Sequence, residues 1–226
     1  MILEEADTSS WSEDTKMINV LTIEREFGSG ANVIAEKLST RLGWKLWDQL
    51  FTTEVARYLD CEKHHVEKQE ERRDPLYYRL MKSFMRGSFE GSLNAPKLKL
   101  ADAEGIRAVS EKLVRRAAAE GNCVLVGRGA AYYLHGSPDV FNIFIYAPFE
   151  ERVRRLRETG YGESEAIELA QTVDSERAAF IKQNFDVDWP QRHYFHLMIN
   201  SEMSDDCVVQ TILAALNAVQ TCSFKP

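Results

Sequence analysis

Long apolar runs are missing from this 226-residue chain. None approaches the roughly 20 residues a membrane-spanning helix needs, so no membrane partner is expected. Clustered cysteine is missing too. Cys61, Cys123, Cys207 and Cys222 stand far apart, with no CxxC pair and no Cys/His spacing that fits zinc. That excludes a disulfide framework and a structural zinc site, and makes a reduced, cytoplasmic setting the expectation. Positive charge is in deficit: 28 Lys and Arg face 35 Asp and Glu, a net charge of -7. A general attraction to nucleic acid polymers or anionic lipid is excluded, although one local basic pocket for a small anion is not. The first stretch, MILEEADTSSWSEDTK, has neither a basic n-region nor an apolar h-region, so no signal peptide is expected. What the chain does have is 44% hydrophobic and 28% charged residues, the balance of a soluble protein able to build a full core.

Residues 1–16 read as a solvated tail, and the remainder, 17–226, as a single domain. MINVLTI is a β-branched apolar run and predicts a buried strand. Val33, Ile34, Leu38 and Leu42 then recur at helical spacing up to Gly43, a natural C-cap. WKLWD, CVLVG, FNIFIYA and YFHLMIN are further strand candidates. Between them lie helical patterns near 101–120, 149–158 and 163–184, with a closing amphipathic helix from Asp205. Short, nearly continuous apolar strands alternating with helices predict an α/β fold, a parallel sheet covered on both faces. Ligands in such folds bind at the carboxyl ends of the strands.

The first strand runs into EREFGSGAN. A strand, a glycine turn and a helix N-terminus point free backbone N–H groups and the positive end of the helix dipole at one spot, which favours phosphate. Gly28 and Gly30 let the backbone come close to such a ligand. An ordinary flexible strand-to-helix turn is the competing reading. The usual GxxxxGK(S/T) pattern is not met. With Gly30 at its second glycine, Arg25 stands at the first, Ala31 replaces the lysine and Asn32 replaces the hydroxyl residue. Arg25 is the candidate to supply the missing charge, and Ser29 lies between the two glycines among the loop's candidate phosphate contacts.

Two further segments carry chemistry. In VLVGRGAAYYL, a strand ends at Gly127-Arg128-Gly129, which puts a guanidinium at the sheet edge beside the first loop. Its planar fork bonds two phosphate oxygens at once, whereas the alternative is an arginine in a surface turn. EERVRRLRE and DSERAAF supply Arg152, Arg154, Arg155, Arg157, Asp174 and Arg177. Such a run is commonly a solvated face paired with Glu150, Glu151 and Glu158. Phosphoryl transfer, however, calls for cations around the moving group. His64, His65, His193 and His196 read as surface or structural residues. No metal-ligating cluster is predicted.

TIEREFGSG, LGWKLWD, VLVGRGAAYYL, FIYAPFEERVRR and DSERAAF…DWP…YFHLMIN together resemble, in order, the cytidylate kinase-like family. That family is a branch of the nucleoside monophosphate kinases with the P-loop fold. The resemblance implies ATP and Mg²⁺ as cofactors and a nucleoside monophosphate, CMP or dCMP, as acceptor. It implies a helical monophosphate-binding insert over about 49–119 and a lid over about 152–185. By motif position it assigns the donor phosphates to Gly28 through Asn32, with a role for Asp48 at the insert's opening. Arg128 would bind the acceptor, and Arg152, Arg155, Asp174 and Arg177 would belong to the lid.

The chain also departs from the family pattern. Asn32 stands where an arginine is usual and Ala131 where an aspartate is. Val126 replaces an acidic residue near Mg²⁺, and Ala170-Gln171 replaces an Arg-Asp pair. Two other readings therefore stand beside the kinase: a nucleotide-binding regulator with little turnover, and a small-molecule kinase with a non-nucleotide acceptor. Oligomeric state is not readable from the sequence.

Overall fold

The computed structural model of the protein describes residues 17–47 and 103–221. The expected tail, Asp48 and most of the expected insert lie outside the described residues. Five strands form one parallel sheet: β1 (Val20–Arg25), β2 (Lys45–Trp47), β3 (Cys123–Val126), β4 (Val140–Tyr146) and β5 (Leu197–Asn200). Their spatial order is β2-β3-β1-β4-β5. The helices are α1 (Ala31–Leu42), α2 (Ala103–Glu120), α3 (Ala130–Tyr133), α4 (Phe149–Glu158), α5 (Glu163–Phe185) and α6 (Asp205–Thr221), with a 3-10 turn at Arg192–Tyr194.

Alternation along the strands divides the core. Leu21, Ile23, Val124, Val126, Ile143 and Ile145 face one side, where α1 contributes Ile34 and Leu38 and α6 contributes Val208 and Ile212. Val20, Cys123, Leu125 and Val140 face the other, against Val109, Leu113, Val114 and Ala117 of α2. Each fully buried aliphatic side chain of this kind contributes about 1.5–3 kcal/mol. The part of the expected insert that lies within the described residues is α2, and its apolar stripe packs under β1, β3 and β4.

The β1–β4–β5 side is also joined by a polar thread. Thr22 Oγ1 donates to Asn142 Oδ1 at 2.6 Å, and Asn142 Nδ2 donates to the Tyr194 carbonyl at 3.0 Å. The Asn142 amide donates to His196 Nδ1 at 2.9 Å, and the His196 amide returns to the Asn142 carbonyl at 2.8 Å. These bonds satisfy groups that are costly to bury alone.

From β1 the chain moves toward β2, and from β3 it crosses back to β4 on the other side of β1. The connections thus leave β1 and β3 in opposite directions. This is the crevice at which an open α/β sheet places its ligands.

Candidate phosphate site

β1 ends in a left-handed turn, with φ of 81° at Gly28 and 76° at Gly30, where α1 begins. A side chain at Gly28 would put its Cβ 2.9 Å from the Arg152 carbonyl oxygen; at Gly30 it would lie 2.3 Å from Arg155 Nη1. Gly28 is therefore favoured by the close approach of the α4 backbone as well as by its φ, while at Gly30 the positive φ is joined only by the movable Arg155 side chain. The sequence offered a ligand or an ordinary flexible turn as the reason for them, and the packing of α4 adds another.

Within the loop, the Glu26 amide donates to the Ile145 carbonyl, the Ser29 amide to the Glu26 carbonyl, and the Phe27 amide to Asp174 Oδ1 at 2.9 Å. Gly30 caps α1 with no side-chain hydrogen bond, so the first amides of the helix keep the orphan donors of a helix start. Ser29 Oγ and Asn32 Oδ1 are buried beside them and have no hydrogen-bond partner among the described residues. Ala31, at the position of the missing lysine, is buried in the core.

The side chains expected at the lid form a brace across this loop. Arg152 Nη1 donates to Asp174 Oδ2 at 2.6 Å and to the Phe27 and Ala170 carbonyls, both at 3.3 Å. Arg177 Nη1 donates to the Arg25 carbonyl at 2.7 Å and to Asp174 Oδ1 at 3.1 Å. Arg155 donates from Nε to Glu151, from Nη1 to the Ser29 carbonyl and from Nη2 to the Ser201 carbonyl, at 2.7, 2.6 and 2.7 Å. Four residues on α4 and α5 thus fasten the backbone of 25–29. Burial pushes the Asp174 carboxyl above its ordinary value, while Arg177, the Phe27 amide and Arg152 pull it back.

The second loop lies against the first. Gly127, Arg128 and Gly129 have φ of 65°, 64° and 69°. For a residue with a Cβ this costs about 1–2 kcal/mol, so Arg128 is held in a strained conformation. The Gly127 amide donates to the Ile23 carbonyl at 2.9 Å. A Cβ on Gly127 would lie 1.9 Å from Arg25 Nη1, so the Arg25 guanidinium passes directly over this glycine. Arg25 and Arg128 are both 3% exposed. The charges of Arg25, Arg177 and Arg128 all act on the buried Glu24 carboxyl at the end of β1.

Sequence reading missed Glu24 and Glu26. Burial raises the Glu24 carboxyl, opposed by Arg25, Arg177, the Gly129 amide and Arg128. Its Oε1 has no hydrogen-bond partner among the described residues. Glu26 is likewise raised by burial, opposed first by the Ala147 amide it accepts at 3.1 Å. The available signal was an acidic residue in each arm of an otherwise apolar strand end, TIERE. Val126 and Ala131 are buried in the apolar core, so the uncharged residues at these family positions serve packing.

Residues 20–203 match the model of the cytidylate kinase-like family. The chain belongs to that family. No curated protein matches the sequence. Among solved structures, an uncharacterized protein from Eubacterium ventriosum is similar at 20% identity, with a TM-score of 0.63 over 90% of this chain and 99% of that one. A gluconokinase from Sinorhizobium meliloti is similar at 12% identity, with a TM-score of 0.51 over 91% of this chain and 94% of that one. At these identities the likeness shows the fold: a kinase-like P-loop sheet, as the sequence predicted. Within the cytidylate kinase-like family the loop of this chain is one braced by arginines from α4 and α5 rather than filled by its own lysine.

Proposed function

We propose that the protein transfers the γ-phosphoryl group of ATP to a nucleoside monophosphate, CMP or dCMP. The observation that carries the reading is the pairing of two loops at the sheet's switch point: uncapped amides of α1 with orphaned Ser29 Oγ and Asn32 Oδ1, and Arg128 strained into place alongside. Family membership supports it.

In this scheme the α1 amides and Ser29 hold the donor phosphates, and Arg25 supplies the charge a loop lysine would give. Ser29 Oγ and Asn32 Oδ1 are hard, buried, unsatisfied oxygens and fit Mg²⁺. When bound, that ion neutralises phosphate charge. Arg128 holds the acceptor monophosphate, already a nucleophile near neutral pH, so no strong side-chain base is required. Arg152, Asp174 and Arg177 keep the loop's backbone in register, and Arg177 adds charge behind the transferring group. Asp48, outside the described residues, would open the acceptor side.

Arg128→Ala is expected to raise the acceptor KM while leaving the KM for ATP near its starting value. Two lost charge-assisted bonds of about 1.5–3 kcal/mol each set the scale, tenfold or more in acceptor affinity. An unchanged acceptor KM contradicts the assignment. Arg177→Ala is expected to depress kcat far more than nucleotide binding.

One observation favours a second reading. Arg152 and Arg155 spend donors on loop carbonyls rather than facing a ligand, as in a nucleotide-binding regulator with little turnover. In that case ATP stabilises the fold while no diphosphate appears with CMP, dCMP, UMP, AMP or a panel of sugar acids and alcohols. A product from that last panel alone would instead identify a non-nucleotide acceptor.

A further inference from the structure

The phosphate loop is also held by a residue that no motif marked. Ser201 follows β5 at the entrance of the turn into α6, and it is fully buried. Its Oγ lies 2.7 Å from the Ser29 carbonyl oxygen and 3.1 Å from the Tyr146 carbonyl oxygen. We propose that Ser201, together with Arg155, is a positioning residue of the phosphate site: the pair grips the Ser29 carbonyl and so aims the Gly30 amide at the donor phosphates. The inference rests on the donor role given to this loop above.

A hydroxyl has one proton to give. The Tyr146 carbonyl already accepts the Ser201 amide at 2.8 Å, so the shorter contact, to Ser29, takes that proton. The same Ser29 oxygen accepts Arg155 Nη1 at 2.6 Å, and Arg155 Nη2 donates to the Ser201 carbonyl at 2.7 Å. The guanidinium therefore spans two carbonyls, one in the loop and one in the turn from β5 to α6. Its charge is balanced on the spot, with Nε 2.7 Å from Glu151 and Nη1 3.8 Å from Asp205. A cation set between two carboxylates and bonded to two carbonyls has little left for a phosphate. Positioning is favoured over direct binding.

The carbonyl matters because of the amide joined to it. A planar trans peptide points its C=O and N–H in opposite directions. With the Ser29 oxygen turned toward α4 and Ser201, the Gly30 N–H faces away from both. That N–H has no hydrogen-bond partner among the described residues. Gly30 has φ 76° and ψ 10°, and Ala31 opens α1. Alternating handedness of this kind makes successive N–H groups converge into a concavity that fits an anion. The buried Ser29 Oγ, also without a partner among the described residues, belongs to the same turn. The brace treats alternate carbonyls alike: Arg177 holds that of Arg25, Arg152 that of Phe27 and Arg155 that of Ser29, which takes the Ser201 hydroxyl as well. Releasing the Ser29 carbonyl lets its peptide rotate, and the convergence is lost while α1 and β5 stay intact.

The test uses the full chain labelled with nitrogen-15 glycine, inorganic pyrophosphate as the probe, and calorimetry on the same samples. In the parent, pyrophosphate is expected to move the Gly30 amide proton downfield as it takes up a charge-assisted bond. Gly43 and Gly121, whose amides bond within their own turns, serve as controls of the fold. Ser201→Ala is expected to shrink the Gly30 shift and weaken pyrophosphate about fivefold, the scale of one lost hydrogen bond. Arg155→Lys keeps the charge but cannot bridge two carbonyls, and is expected to weaken it about tenfold. Should Ser201→Ala disturb the control glycines, Arg155→Lys decides the question. A Ser201→Ala protein with a lower thermal midpoint but parent values for both readouts overturns the proposal, because Ser201 is then merely structural. So does an Arg155→Lys protein that binds as the parent does. A parent whose Gly30 amide ignores pyrophosphate overturns the proposal and the donor-phosphate reading together. Losses in both variants, in a chain that never forms CDP, support the positioning role and sink the kinase reading alone.

Discussion

Asp174 is one carboxylate serving three donors, the Phe27 amide, Arg152 and Arg177. Removing one partner from a buried ion pair costs about 3–5 kcal/mol, because the remaining charge stays buried without compensation. Asp174→Asn is therefore expected to lower the unfolding free energy by that order, read as a lower urea midpoint with an unchanged m-value. A midpoint like that of the parent protein would show that the brace carries little. His196 offers a second test at the same scale. Burial, with a smaller push from His135, holds it below the ordinary imidazole range. The unfolded chain then binds more protons between that lowered value and about 6.5, so stability falls as pH drops through this window. Glu24 and Glu26 are raised by burial and have the opposite sign: the folded chain keeps their protons longer, and stability falls as pH rises above about 4.3. Subtracting His196→Gln from the parent isolates the histidine, and the difference should show the acid-side loss. A flat difference from pH 5 to 7 contradicts the role given to His196 Nδ1 as acceptor.

At the scale of elements, strands and helices were legible because their apolar runs are continuous or strictly periodic. FEERVRRLRE forms α4 over the same residues that its charge pattern marked. The four-residue α3 left no period to read, and its left-handed entry at Arg128 has no sequence signal because the residue is not glycine. The brace was legible only as a set of charges. Its partners are backbone atoms up to 152 positions away, which no local sequence pattern signals. The glycines were legible as a turn, but α4 as the neighbour that forbids a Cβ was not. That neighbour makes a prediction. Gly28→Ala and Gly43→Ala both carry positive φ, costing about 1–2 kcal/mol each. A Cβ at Gly43 would meet nothing within 4 Å beyond its own chain neighbours among the described residues, whereas a Cβ at Gly28 meets α4 backbone at 2.9 Å. Gly28→Ala is expected to be the more destabilising and to loosen nucleotide binding. Equal thermal shifts in the two variants would contradict the packing of α4 on the loop.

For the molecule as a whole, two loops at one switch point and a helical brace from α4 and α5 meet at the carboxyl edge of a five-stranded sheet. Family membership fixes the fold. The most direct measurement follows labelled γ-phosphate from ATP to CMP in the presence of Mg²⁺, for the parent chain and for Gly30→Ala, whose Cβ would displace Arg155 at 2.3 Å. The account predicts labelled CDP from the parent and a large loss of transfer in the variant, with the variant still folded. Label that remains in ATP or appears only as free phosphate, for every acceptor tried, would contradict it.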